Sequence, residues 1–225
     1  MFYILHYCKF VKIKKVLYLC RIMRHEKQNI FFISDLHVGH KNVLKFDNRP
    51  FADVDEMHVE LIKRWNSVVG PDDTVYFLGD LAFARDELTK WFIYSLQGKI
   101  HFVLGNHDKM SQIVKFGRWE SVHESYTEIG ILDPDSLEAR GSQGYQKIIL
   151  SHYPILSWNK AHHGSWHLHG HCHGSLIKSQ QEYYKRKVMD VGCNVIDYTP
   201  ISYEKVKGIM VKKGVSAVDH HGEDM

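Results

Sequence analysis

Short apolar runs that each stop at a small polar cluster dominate the pattern along this chain. Ile30 to Ile33 runs into Ser34-Asp35, Thr74 to Leu78 into Gly79-Asp80, and Ile100 to Leu104 into Gly105-Asn106-His107-Asp108. Lys147 to Ser151 then precedes His152, and Trp166 to Leu168 precedes Gly170-His171-Cys172-His173. Runs of this length bounded by turn-forming residues predict buried strands. Between the first two, Val54, Met57, Leu61, Ile62, Trp65, Val68 and Val69 recur at helical spacing, which predicts a helix over 53–69 that stops at Gly70-Pro71. Residues 85–97 read as a second helix, and Lys187 to Val191 and Val206 to Val211 as strands that close the sheet. Alternating strands and helices without repeats or low-complexity linkers predict one α/β domain over residues 29–212.

The polar residues at the strand ends carry the chemistry. In order they are Asp35 and His37, Asp80, Asn106 and His107, His152, then His171 and His173. In open α/β sheets the loops beyond the carboxyl ends of the strands converge on one site. Two carboxylates, a carboxamide and several imidazoles form the mixed oxygen and nitrogen set that divalent manganese, iron and zinc accept. On extended backbone, residues two apart share a face, so the D-x-H and H-x-H spacings let both side chains reach one ion. Seven ligand candidates exceed one tetrahedral ion and suit two ions that share a carboxylate.

Composition sharpens this picture. The 225 residues include 17 histidines, and several of these stand in the strand-end loops. The net charge of +3 is concentrated in residues 1–22, where Lys9, Lys12, Lys14, Lys15 and Arg21 face no acid, and the remainder carries −2. The body therefore does not read as a polyanion-binding surface, and a nucleic-acid partner is not favoured. Residues 1–28 read as a basic leader, an unstructured or upstream-start extension with Met23 as the functional start. Lysines interrupt its apolar stretch and no small-residue cleavage site follows, so it is not a secretory signal. Residues 213–225, with His220-His221, read as a tail. Four scattered cysteines do not form a disulfide framework, which points to a reducing, cytoplasmic compartment. No apolar run approaches the roughly 20 residues of a membrane span.

Asp35-Leu36-His37, Gly79-Asp80, Gly105-Asn106-His107-Asp108, Ser151-His152 and Gly170-His171-Cys172-His173 occur in the order of the calcineurin-like metallophosphoesterase superfamily, and each follows a strand. From about Ile30 to Tyr203 the chain resembles the small bacterial and phage-type phosphoesterases of that superfamily. The resemblance implies a single-domain, four-layer α/β/β/α sandwich around a dinuclear metal centre. Asp35, His37 and His173 would hold one ion, Asn106, His152 and His171 the other, and Asp80 would bridge them. Manganese is the first expectation, with iron(II), zinc or nickel also compatible. A hydroxide shared by the two ions would attack phosphorus, with His107 as general acid and Asp108 orienting its ring.

The implied substrate is a small phosphate ester or nucleotide, with diesters favoured over monoesters. The alternatives are a phosphomonoesterase, a protein phosphatase or a nuclease. Protein serine/threonine phosphatases of this superfamily have arginines after a longer Asp motif and a triad ending in Glu, whereas here Leu81-Ala82-Phe83 follows Asp80 and the triad ends in Asp108. The chain also lacks the extra domains of the nuclease relatives. His40 either faces substrate or caps the following helix. The stretch His162 to His169 lines the pocket or supports the ligands, and Cys172 packs inward between two of them. Arg85 and Arg118 are candidate phosphate clamps. The tryptophans 65, 91, 119 and 158 read as core or rim residues.

Overall fold

The computed structural model describes residues 29–135 and 144–215. The readings of residues 1–28 as a leader and of 216–225 as tail lie outside the described residues. The chain forms a mixed α/β domain with two sheets.

The first sheet has the order β4-β3-β2-β1-β9. Strands β1 (Ile30–Ile33), β2 (Thr74–Phe77), β3 (Lys99–Val103) and β4 (Trp119–His123) run parallel, and β9 (Ile201–Ser202) pairs antiparallel with β1. The second sheet has the order β5-β6-β7-β8, built from Tyr126–Leu132, Tyr145–Ser151, Trp166–His169 and Val188–Asp190. In it β5 is antiparallel to β6, while β6, β7 and β8 are parallel.

Alternation along β1 sorts its side chains between two cores. Phe31 and Ile33 face the helices α2 (Val54–Asn66), α3 (Asp86–Ser95) and α4 (Met110–Phe116), joining Met57, Leu61, Trp65, Phe92, Ile113 and Phe116. Phe32 points the other way, into a cluster with Ile148, Leu150 and Leu168 of the second sheet. A strand buried on both faces reads as a continuous apolar run, which is why its sequence shows no alternation. Helix α2 is stopped at its start by Asp53, whose side chain accepts the backbone N–H groups of Asp55 and Glu56. A third, smaller cluster of Ile149, Trp158, Ala161 and Val188 covers the outer side of the second sheet.

The expected strand over 206–211 is instead part of helix α7 (Tyr203–Met210), which follows the short helices α5 (Ser175–Ser179) and α6 (Gln181–Lys185). Tyr203, Val206 and Met210 lie three and four positions apart and share one buried helical face against the inter-sheet core. Ser202 caps this helix by accepting from Lys205 N–H. Strand β8 does fall near the expected 187–191, but it closes the second sheet. Strands β4, β5 and β9 are additions that the hydrophobic pattern did not signal.

Asp133, buried at the end of β5, fastens α7. It accepts from the Tyr203 hydroxyl at 2.6 Å and from Lys207 Nζ at 2.7 Å. Burial opposes its ionisation, but the Lys207 ammonium and the Tyr203 hydroxyl prevail and hold the carboxyl below its usual range. The unfolded chain therefore takes up the proton first as pH falls. The contribution is complete above the ordinary aspartate pKa of about 4 and is lost as pH falls toward the folded value. Asp133→Ala should cost about 1–3 kcal/mol in urea unfolding near neutral pH. The gap between wild type and Asp133→Asn should narrow in melts taken from about pH 6 down to about pH 3.

Candidate metal centre

The parallel strands β1, β2 and β3 end at one edge of the first sheet, and β6 and β7 end beside them in the second. The structure thereby brings Asp35, His37, Asp80, Asn106, His152, His171 and His173 into one cup. Asp35, His37, Asp80 and His152 are buried, His173 is half-buried, and Asn106 and His171 are exposed at the rim.

In one half of the cup, His37 Nε2 lies 3.1 Å from His173 Nε2, and His173 Nε2 lies 3.6 Å from Asp35 Oδ1. In the other half, Asn106 Oδ1 lies 2.9 Å from both His152 Nε2 and His171 Nδ1. Asp80 Oδ2 sits between the halves, 3.7 Å from His37 Nε2 and 3.5 Å from His152 Nε2. Asp35, His37 and His173 offer ligand atoms within 4.8 Å of one another, as do Asp35, Asp80 and His152. Asp35 thus stands in both sets, so the role of spanning the halves is not confined to Asp80.

The proton positions test whether this set fits cations. Leu78 carbonyl can only accept, so the 2.7 Å contact fixes the proton of His152 on Nδ1 and leaves the Nε2 lone pair aimed at Asn106 Oδ1. His173 Nδ1 donates to Asp47 Oδ2 at 2.7 Å, which turns its Nε2 toward His37 Nε2. In the neutral His152 ring a lone pair therefore faces Asn106 Oδ1, a conflict that a cation between them relieves, while His173 Nε2 is met by His37 Nε2 either through a proton on His37 or through a shared cation. Burial, with His173 and Arg49 nearby, lowers the His37 pKa to about 2. Burial also works against charge on His173, yet the Asp47 hydrogen bond and Asp35 raise its pKa. Burial pushes the Asp35 carboxyl up to about 6 against the pull of His173 and His152. The donor set suits divalent ions that accept imidazole and carboxylate.

The local backbone departs from the expected extended geometry. Asp35, His37, Asp80, His171 and His173 all have positive φ, between 49° and 67°. The D-x-H and H-x-H pairs converge through left-handed turns past the strand ends, not through strand alternation. Such turns are held by hydrogen bonds: His171 N–H donates to both Asp35 oxygens, and His107 N–H donates to Asp80 Oδ1 at 3.0 Å.

Several residues have other roles than expected. Asp108 does not reach the His107 ring; its carboxylate accepts the N–H groups of Asp80, Leu81 and Gly105, fixing the loop that carries Asp80. His107 is exposed, with Nε2 3.9 Å from Asp80 Oδ2. His40 lines the cavity beside the centre, which has a volume of about 360 Å³, and its ring lies 4.6 Å from that of Phe83. The stretch 162–166 does not line that cavity. His162 and His163 form a turn after the outer cluster of the second sheet, while His167 and His169 are buried in β7 and bond to Ile149, Ile155, Gly170 and Tyr184. Arg118 donates to the Leu96 and Gly98 carbonyls, and Arg85 is exposed at the start of α3, so neither enters the cavity. Cys172 is only half-buried.

The arginine at the centre is one that the motifs did not reveal. Buried Arg49 donates to the carbonyls of Asp35 and Leu36, each at 2.9 Å, and to Asp47 at 3.0 Å. Asp47 in turn orients His173, the arrangement in which a carboxylate fixes the ring of a metal-binding histidine. The only local signal is the turn Asp47-Asn48-Arg49-Pro50, where Asn48 has φ of 49°.

Three relatives and one solved structure match the chain well. An uncharacterized protein of Methanocaldococcus jannaschii is 36% identical over 191 residues, covering 82% of this chain and 93% of that protein. The gene 66 protein of Mycobacterium phage L5 is 31% identical over 185 residues, or 73% of this chain and 86% of its own. Its counterpart in phage D29 is 29% identical over 170 residues. A protein of unknown function from Aquifex aeolicus shares the fold, with a TM-score of 0.62 at 21% identity over 81% of this chain and all of that one. No sequence-family model matches the chain.

Gly105 shows how tightly the centre is built, because a Cβ there would fall inside contact distance of Asp80 Oδ1 and Asp80 N. Gly105→Ala should leave the far-ultraviolet circular dichroism intact while weakening divalent-cation binding, read by titration calorimetry with Mn²⁺ as the probe, by at least about ten-fold.

Proposed function

The chain belongs to the family of the Methanocaldococcus jannaschii and phage L5 proteins, and from its centre we propose that it is a dinuclear, metal-dependent phosphoesterase of the calcineurin-like superfamily. The observation that carries this reading is the position of Asp80 Oδ2, within 3.7 Å of one imidazole in each half of the cup. The layering supports it as well, since helices cover the first sheet and the second sheet packs on its other face. Asp35, His37 and His173 would hold one divalent ion, and Asn106, His152 and His171 the other. Such ions, when bound, offset the charge of a phosphate ester and lower the pKa of water.

The remaining work falls to this chain's own residues. Asp47 and Arg49 keep His173 and the Asp35 loop in place. Asp108 ties the Asp80 loop to its own through the backbone amides of Asp80, Leu81 and Gly105. His107 stands exposed at the rim beside Asp80, with its Nε2 free to hold a proton for the departing oxygen. In hydrolysis, water supplies the new oxygen on phosphorus, the bond to the leaving group breaks with its electron pair going to the departing oxygen, and the proton released from that water replaces the one His107 gives up. The proton from His107 then completes the alcohol. The substrate is a small phosphate ester, with a diester preferred.

The test is turnover of bis-p-nitrophenyl phosphate with Mn²⁺. Asp80→Ala should abolish both turnover and tight Mn²⁺ binding, and turnover that survives the substitution would overturn the reading. His107→Ala should keep Mn²⁺ binding and reduce kcat by about 10²–10⁴-fold on esters of aliphatic alcohols. The loss should be smaller on p-nitrophenyl esters, because p-nitrophenolate leaves without needing a proton.

A further inference from the structure

The cavity beside the centre is walled by aromatic rings and has no lysine or arginine among its lining residues. Its outer wall consists of His40, Val43, Phe46 and Phe83. Phe46, at the end of the short helix α1 (Val43–Phe46), is 75% exposed, and Phe83 is 42% exposed. Large apolar side chains left exposed at the mouth of a polar centre mark a surface meant to be covered by a ligand. Neither is a loosely placed residue. Phe83 N–H donates to Val38 carbonyl at 2.8 Å, and Phe46 N–H donates to Asn42 carbonyl at 3.0 Å, so the backbone beneath each ring is fixed.

The position of these rings matters as much as their exposure. The Phe83 ring lies 4.4 Å from His107 and 4.6 Å from His40, while Phe46 flanks His40 at 6.2 Å. His107 is the residue placed to meet the departing oxygen, so the aromatic wall stands on the leaving-group side. A ligand with further charges, such as a polyphosphate, finds no lysine or arginine in this wall. A ligand whose leaving alcohol carries an uncharged planar ring finds stacking faces.

We propose that Phe46 and Phe83, with His40 between them, form a stacking wall for a planar aromatic leaving group, so that the substrate is an aryl or nucleoside phosphate ester and not an alkyl one. This rests on the phosphoesterase reading and narrows it. Stacking is indifferent to hydrogen-bonding detail, so the wall selects for a ring without choosing which ring.

Binding of two inert anions to the Mn²⁺-loaded full chain separates the outcomes, measured by titration calorimetry with phenylphosphonate and methylphosphonate. Wild type should bind the phenyl compound about ten-fold more tightly or better. The Phe46→Ala/Phe83→Ala double variant should lose that preference while keeping its affinity for methylphosphonate and for Mn²⁺. Phe46→Tyr and Phe83→Tyr should retain the preference, which separates stacking from a general loss of structure. Equal wild-type affinity for the two anions, or a preference that survives the double substitution, overturns the stacking wall and leaves the metal centre standing. Failure of both anions to bind overturns the phosphoesterase reading, and the wall falls with it.

Discussion

Imidazole and carboxamide ligand atoms held about 3 Å from one another in one cup are the constraint on which this structure turns. His152 Nε2 faces Asn106 Oδ1, and His37 Nε2 faces His173 Nε2, in a buried cup that also contains two carboxylates. Left to itself such a set would spread apart or collect protons, because low-dielectric surroundings magnify every unpaired lone pair. The fold prevents the spreading. Five of the seven residues sit at positive φ, each at a cost of order 1–3 kcal/mol. Summed, that cost is comparable with the whole stability of a typical domain, about 5–15 kcal/mol, so the surrounding packing must over-determine these turns.

Over-determination comes from the layers beneath. Phe32, Leu78, Val103, Ile148, Leu150 and Leu168 form a continuous inter-sheet core directly under the strand ends. Above that core, backbone amides do the positioning. Asp108 collects three N–H groups from two loops, Arg49 holds two carbonyls of the Asp35 turn, and His171 N–H grips Asp35 itself. The glycines fit the same logic. Gly79, Gly105 and Gly170 lie where any Cβ would strike the neighbouring loop or a ligand carboxylate. A centre assembled this way is rigid before a ligand arrives, which favours binding by keeping the ordering cost low.

Charge is also arranged in depth. Arg49 is spent on carbonyls and on Asp47, and it stays behind the ligands, out of the cavity. The cavity wall is then left to His40, Phe46 and Phe83, whose faces are apolar. On the proposed reading, recognition of an anion would fall to the centre, and recognition of what the anion is attached to would fall to the rings.

The order and placement of the loops that carry the candidate ligands follow from the sequence alone. Each follows a short apolar run, and β1, β2, β3, β6 and β7 all lie where those runs predicted. Periodicity also placed α2 and α3, because amphipathic spacing is a local property. Tertiary structure alone decided the rest. Trp119–His123 and Tyr126–Leu132 are strands because neighbouring strands offer them partners, and their mixed polar pattern carries no local instruction. Residues 203–210 are helical because Tyr203, Val206 and Met210 find one apolar face to bury. The D-x-H spacing pointed to residues that do meet in one cup, but for a geometric reason that does not apply, since left-handed turns and not strand alternation aim them. Asp47, Arg49 and Phe83 became part of the site only on folding. Their partners are backbone groups and rings distant along the chain, and side-chain identity does not encode a contact that exists only when those distant backbones meet.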